Sequence, residues 1–314
     1  MRTLFFGTPE FAVPTLAAMV ESGFAPERVI TQPARPAGRG HGLRQPPVAA
    51  WALEHGLTVM QPEKVNRRAF RAELREVAPD VAIVVAFGQI FKRRLLDLPR
   101  LGCVNLHASL LPQYRGAAPI QAAIAAGDSA TGVTTMMMTQ GLDSGPILLQ
   151  AELPIGPQET TPELSRRLAE RGASLMTATL RALEGGELTA LQQNEDLVSY
   201  APQLSKADGM IDWRRTAGET YNRLRAYTPW PGQTGELRGK RVKVLWCRPL
   251  SGASDEEPGT LLGLREGCLA VACGEGTLLG LERFQLPGKK PVSAADFANG
   301  ARLTAGLRFE VEAV

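Results

Sequence analysis

The sequence predicts an α/β protein, a parallel sheet covered by helices on both faces, followed by a small β-barrel domain. Three observations predict it. In the first half, short apolar runs alternate with helical patterns, as parallel strands joined by crossover helices require. After Glu184-Gly185-Gly186 the chain turns polar over residues 187–207, which reads as an extended connector with little core. Beyond it, short β-type segments recur between Gly and Pro residues, as in a small barrel. The expected organisation is a domain over 1–186, a linker over 187–207 and a barrel domain over 208–314.

Taken in order, strands are expected at Thr3–Gly7, Arg28–Thr31, Leu57–Met60, Val81–Ala86, Cys103–His107 and Thr131–Met137. Between them, Phe11–Ser22, Pro47–His55, Asn66–Val77 and Ala118–Ala126 carry helical periodicity. Thr160 or Thr161, followed by Pro162 and Glu163, starts a longer helix that runs to about Leu183. In the last part, strands are expected at Arg241–Cys247, Gly259–Leu264, Cys268–Cys273 and Thr277–Phe284, with one helix at Ala217–Ala226.

Composition bounds the function. With 314 residues, 44% hydrophobic and 21% charged, the chain is long enough for two domains and has an ordinary globular balance. The apolar run after Arg2 is too short for a signal peptide, and no stretch of about eighteen apolar residues is available to span a bilayer. A cytoplasmic, membrane-free protein is expected. Cys103, Cys247, Cys268 and Cys273 lack paired C-x-x-C spacing, and with three histidines no zinc site is expected. The whole +3 excess of charge lies in residues 201–314, which permits a nucleic-acid partner without requiring one.

Chemistry concentrates at Cys103-Val-Asn-Leu-His107. On a strand, side chains two apart share a side, so the Asn105 amide and the His107 imidazole project together. Ligands of open α/β sheets collect beyond the carboxyl ends of the strands, where this pair would lie. Asp143, in the loop Gly141-Leu-Asp-Ser-Gly145, would add a carboxylate able to orient His107 and stabilise its protonated form. Singly, each has a plainer explanation: a structural histidine, an asparagine tying down a turn, an aspartate bracing Gly141 and Ser144. The opening Gly7-Thr-Pro-Glu-Phe11 follows a strand and precedes a helix, but Gly-x-Gly-x-x-Gly is absent, which argues against a dinucleotide.

Several long motifs occur in one order: Gly7-Thr-Pro-Glu-Phe-Ala12, Thr31 to Gly40, Asn105-Leu-His-Ala-Ser-Leu-Leu-Pro112, Arg115-Gly-Ala-Ala-Pro-Ile120, Gly141 to Gly145, Ile211-Asp-Trp213 and Pro229-Trp-Pro231. Together they resemble the methionyl-tRNA formyltransferase family over nearly the whole chain. That resemblance implies a Rossmann-like catalytic domain followed by an OB-like barrel that binds tRNA. It also implies transfer of a formyl group from 10-formyltetrahydrofolate to the amino group of methionyl initiator tRNA, without a metal.

By the same resemblance, Asn105, His107 and Asp143 match the catalytic positions. Ser109, Leu110, Leu111 and Pro112 match the folate-contacting segment, and Phe87, Gly88, Gln89 and Ile90 a second pterin-facing strand end. The family usually carries Tyr-Gly-x-Ile-Leu-Pro there; Phe87 lacks the hydroxyl, and Phe91-Lys92 replaces Leu-Pro. Ordinary core packing is the plainer role for Phe87 and Ile90. The basic loop Pro33–Pro47 corresponds to the family's acceptor-stem insertion, and Arg39 to its key arginine, with His41-Gly42 where lysines are common.

Other basic residues divide by pattern. Arg238, Lys240, Arg241, Lys243 and Arg248 cluster near one expected strand, with Lys289 and Lys290 further on, and could face tRNA phosphates. Arg67, Arg68, Arg71 and Arg75 lie at helical spacing and read as a solvated helix face. Trp213, Trp230 and Trp246 read as hinge or barrel-core residues. Rival readings are formyl transfer to an amino-sugar nucleotide, hydrolysis of formylfolate, and a non-catalytic tRNA-binding protein. A monomer is the default.

Overall fold

A computed structural model describes residues 1–37 and 42–310. Arg39 and His41 lie outside the described residues. Two units emerge, and they interleave along the chain. Unit 1 comprises Met1–Pro119, Ala130–Pro154 and Ser165–Ala201; unit 2 comprises Ile120–Ser129, Ile155–Leu164 and the chain from Pro202 onward.

Unit 1 begins with β1 (Thr3–Gly7), whose five residues are all buried, and α1 (Val13–Glu21), which Pro14 starts in its first turn. β2 (Arg28–Ile30) leads to a hairpin of β3 (Arg35–Ala37) and β4 (Gly42–Arg44), then α2 (Pro47–Glu54) and β5 (Val59–Met60). α3 (Arg68–Val77) buries Phe70 and Leu74, one turn apart, and ends where Ala78 turns left-handed before Pro79. Arg67, Arg68 and Arg75 are exposed as expected, but Arg71 is buried and donates to the Asn66 carbonyl, so it caps the loop before α3 rather than facing water.

β6 (Val81–Val85) reads Val-Ala-Ile-Val-Val and is buried on both faces, the continuous apolar pattern of a central parallel strand. Next come α4 (Arg93–Leu96), β7 (Cys103–His107), β8 (Arg115–Gly116), α5 (Pro119–Ala126), β9 (Ala130–Met137) and β10 (Ile147–Pro154). α6 (Thr161–Gly185) follows, with Thr160 and Glu163 bonded at its start, and then β11 (Tyr200–Ala201).

The main sheet runs β10-β9-β7-β6-β1-β2-β5. β1, β2, β5, β6 and β7 are parallel, but β9 is antiparallel to β7 and β10 to β9. The expected parallel sheet is present in those five strands, with antiparallel β9 and β10 added at one edge. Strand direction is set by the connection, and periodicity within a strand does not report it.

In unit 2, α7 (Ala217–Tyr227) starts with a capping box: Thr216 and Glu219 each satisfy the other's backbone N–H. β12 (Gln233–Leu237), β13 (Lys240–Leu250), β14 (Leu261–Arg265), β15 (Cys268–Ala272), β16 (Leu278–Gln285) and β17 (Val292–Ser293) pair antiparallel, and α8 (Ala294–Gly300) is capped by Ser293. The sheet order is β12-β13-β16-β15-β14, with β17 on β16.

The C-terminal segment joins the two ends of that ladder. Leu261 donates to the Leu307 carbonyl, Phe309 to Gly259, and Glu310 to Glu236 on β12. This curls the sheet into a barrel with few open edges. Its core stacks Trp213 on Phe309 at 4.6 Å and Phe284 on Phe297 at 4.3 Å, so Trp213 is a core residue, whereas Trp230 is largely exposed. No helix among the described residues is long and apolar enough to cross a membrane.

Candidate active site

The candidate residues Asn105 and His107 lie toward the carboxyl end of β7. Asn105 lies opposite Val84 of β6 and Met136 of β9, and His107 opposite Thr134, so pairing on both sides fixes their direction. Asn105 is half-buried, and its side-chain amide has no hydrogen-bond partner among the described residues. It is a donor in reserve.

His107 is buried, with Nε2 2.9 Å from the Tyr114 carbonyl. A carbonyl only accepts, so Nε2 carries a hydrogen and donates it. That leaves Nδ1 as the working edge. It lies 3.7 Å from Oδ2 of Asp143, too long for a hydrogen bond. Nδ1 is therefore left available to a third group.

Asp143 reaches this place through a tight loop. Its own φ is +46°, a left-handed value uncommon for a residue with a side chain, and Gly145 has no room for one, since a Cβ would lie 1.7 Å from the Met137 carbonyl. Oδ2 accepts the Gly116 N–H at 2.9 Å, so Asp143 faces β8 and His107 instead of bracing Gly141 and Ser144.

The segment after β7 is held by main-chain bonds. Ser109 Oγ donates to the Gln113 carbonyl at 2.6 Å, Thr134 Oγ1 donates to the Ser109 carbonyl at 2.7 Å, and Gln150 donates to the Leu111 carbonyl. The Leu111–Pro112 peptide is cis. Ser109 and Leu111 are buried, so Leu110 and Pro112 supply the partly exposed surface.

After β6, the Phe87 ring packs in the core against Phe6 at 5.4 Å, while its carbonyl accepts from Thr8 and Gln32. Gln89 reaches Val65, Pro62 and Glu63 through its side chain, which leaves Gly88 and Ile90, the latter 85% exposed, facing out. Because β6 and β7 are neighbouring parallel strands, both segments leave the same end of the sheet.

Sequence reasoning missed Gln193 and Arg115. The expected connector is not an idle tether here: Gln193 and Ala201 are buried, β11 pairs with β8, and Ser199 accepts the Tyr114 N–H. Arg115 is a buried arginine that needs partners, but burial of a single charged residue leaves no signal in the sequence.

Unit 2 holds a separate cleft of about 610 Å³, with Leu237, Val242, Leu286 and Phe297 in its walls and Arg238, Lys240, Lys289 and Lys290 among its lining. It includes none of Asn105, His107 or Asp143. Of the expected basic stripe, Arg241 is exposed and Lys243 half-buried, but Arg248 is neutralised by Glu266 and Glu282, each at 3.1 Å. No group of three or more His, Cys, Asp or Glu among the described residues is placed to hold a metal.

A mixed α/β sheet is followed by an antiparallel barrel, and family models define the class as formyl transferase. Residues 1–180 match the formyl transferase family model, and residues 203–302 match the model of the formyl transferase C-terminal domain. A methionyl-tRNA formyltransferase of Koribacter versatilis is 50% identical over 303 residues, covering 96% of each chain. One from Synechococcus sp. (strain JA-3-3Ab) is 47% identical over 321 residues, covering 99% of each. The chain belongs to the methionyl-tRNA formyltransferase family and is a formyl-transfer enzyme.

Solved structures share the fold at greater distance. WlaRD, a sugar 3N-formyl transferase solved in the presence of dTDP and 5-N-formyl-THF, has a TM-score of 0.66 at 18% identity over 92% of this chain and 99% of that one. An N-formyltransferase of Helicobacter canadensis in complex with folinic acid and dTDP-3-aminofucose has a TM-score of 0.66 at 19% identity over 90% and 98%.

Proposed function

We propose that the chain takes the formyl group of 10-formyltetrahydrofolate and places it on the α-amino group of methionyl initiator tRNA, by direct attack of the amine. The observation that carries this reading is the unbonded Asn105 amide beside the Nδ1 edge of His107, with Asp143 3.7 Å behind that edge. As the amine's lone pair forms a bond to the formyl carbon, the carbonyl π pair moves onto oxygen. The Asn105 amide and the His107 imidazole donate to that oxygen.

Two such donors, fixed before the reaction, contribute about 3–4 kcal/mol each by analogy with oxyanion-hole deletions. Asp143 holds the imidazole in position throughout. When the intermediate collapses, the carbon–nitrogen bond to the folate breaks, the amine gives up a proton and the folate nitrogen gains one. Asp143 and His107 are placed to assist that transfer. No covalent bond to the protein forms.

The exposed surfaces of Leu110, Pro112, Gly88 and Ile90 suit a flat pterin, with Ser109, Leu111, Phe87 and Gln89 holding their backbones in place. Formylated folates in the related structures support this donor. In this reading residues 1–186 are the catalytic domain, 187–207 the linker and 208–314 the tRNA-binding domain. Lys240, Arg241, Lys243, Lys289 and Lys290 contact phosphates, and Arg39 enters the acceptor stem. The enzyme acts as a cytoplasmic monomer.

Relatives at 47–50% identity favour tRNA over an amino sugar as acceptor. The test offers the protein 10-formyltetrahydrofolate with either charged initiator tRNA or an amino-sugar nucleotide. Formylation of the tRNA is expected; formylation of the sugar alone would overturn the assignment.

A further inference from the structure

We infer that Gln193 is a positioning residue for formyl transfer, acting through Asp143; this rests on the catalytic reading of Asp143 given above. Its Nε2 donates to the Asp143 carbonyl at 2.7 Å and to the Gly145 carbonyl at 2.8 Å. Its Oε1 accepts from Arg115 Nε at 3.0 Å and from one terminal nitrogen of Arg115 at 2.8 Å. Two hydrogens and two lone pairs are the whole capacity of a side-chain amide, and all four are used.

Carbonyls only accept and a guanidinium only donates, so the amide has a single orientation. Gln193 is 8% exposed and cannot trade these bonds for water.

What Gln193 holds needs holding. Asp143 sits at a φ of +46°, and its loop turns back through Gly145 against the Met137 carbonyl. Gln193 grips the backbone on either side of Ser144, while Gly116 grips the carboxylate. Arg115 is in turn anchored by two bonds to Glu195, at 2.8 and 3.1 Å. The chain Glu195–Arg115–Gln193 thus sets the distance from Asp143 Oδ2 to His107 Nδ1. Residues of the connector set the geometry of a site that begins ninety residues earlier in the chain, roughly the span from Asn105 to Gln193.

The test compares Gln193→Glu, Gln193→Ala, Asp143→Asn and the Gln193→Ala/Asp143→Asn pair, all in the full chain, with 10-formyltetrahydrofolate and methionyl initiator tRNA. Glutamate keeps the acceptors for Arg115 and removes both donors to the loop. Gln193→Glu and Gln193→Ala should lower kcat on the order of 10- to 100-fold, the scale of a displaced reacting group, with both KM values within about twofold. Thermal melting of Gln193→Glu should stay near that of the unsubstituted protein. In the Asp143→Asn background, Gln193→Ala should cost less than about threefold more, as expected for two residues acting as one unit.

A kcat unchanged by either Gln193 variant, with Asp143→Asn impaired, would overturn this inference and leave the catalytic reading intact. The same full loss repeated on Asp143→Asn would overturn it too, since Gln193 would then act elsewhere. Full activity of Asp143→Asn would remove the catalytic reading and this inference with it.

Discussion

The Gly116 N–H donates at 2.9 Å to Asp143 Oδ2, the same oxygen that lies 3.7 Å from His107 Nδ1. Gly116 can do this because its φ is +126°, and a Cβ there would lie 2.5 Å from the Ala201 carbonyl. Gly116→Ala should therefore part β8 from β11, destabilise the protein by roughly 1–3 kcal/mol, and lower turnover at least tenfold. Denaturant unfolding and kcat measured together check this; an active, equally stable variant would show that the amide does not set Asp143.

Phe87 and Ile90 stand three residues apart and should respond in opposite ways. Phe87 packs against Phe6 and Phe91, so Phe87→Ala should cost about 3–5 kcal/mol. Ile90 is 85% exposed, so Ile90→Ala should change stability by less than about 0.5 kcal/mol and should raise KM for the folate donor alone. An unchanged donor KM would remove Ile90 from the pterin surface.

How much of this was legible in the sequence depends on distance along the chain. β1, β6 and β7 were readable because runs such as Val81–Val85 are apolar throughout, and Asn105 and His107 because alternation is a local rule. β10 escaped notice because its Ile-Leu-Leu-Gln-Ala-Glu-Leu-Pro is a half-exposed edge with no clean pattern, and β12 because Gln-Thr-Gly-Glu-Leu looks polar. Gln193 sits in Gln192-Gln-Asn-Glu-Asp196, which offers no apolar signal. Its partners are 78 and 50 residues away, and only the fold brings them together.

Burial pushes the Cys103 and Cys273 thiols up to about 12, from an ordinary value near 9. Unfolded thiols lose their protons near pH 9 while the native ones keep them, so the unfolded state binds fewer protons across that window. Their contribution to stability should fall as pH rises from 9 toward 12. A urea midpoint lower at pH 10 than at pH 8 is expected, with slow thiol labelling of the native protein at pH 8; rapid labelling of these cysteines there would contradict their burial.

Lys240, Lys289 and Lys290 are exposed and form no ion pair among the described residues, so their charge is available to phosphates. Added salt should raise KM for tRNA steeply and leave that for the folate donor nearly level. Arg39→Ala should weaken tRNA use alone. Parallel loss of donor binding would point to damage in the fold instead.

The most direct measurement is the single-turnover formylation rate of His107→Ala, with saturating 10-formyltetrahydrofolate and methionyl initiator tRNA. Loss of one oxyanion donor should slow this step on the order of 10²- to 10³-fold, with partial recovery on adding free imidazole. A rate equal to that of the unsubstituted protein would mean that the imidazole beside Asp143 takes no part in the chemistry.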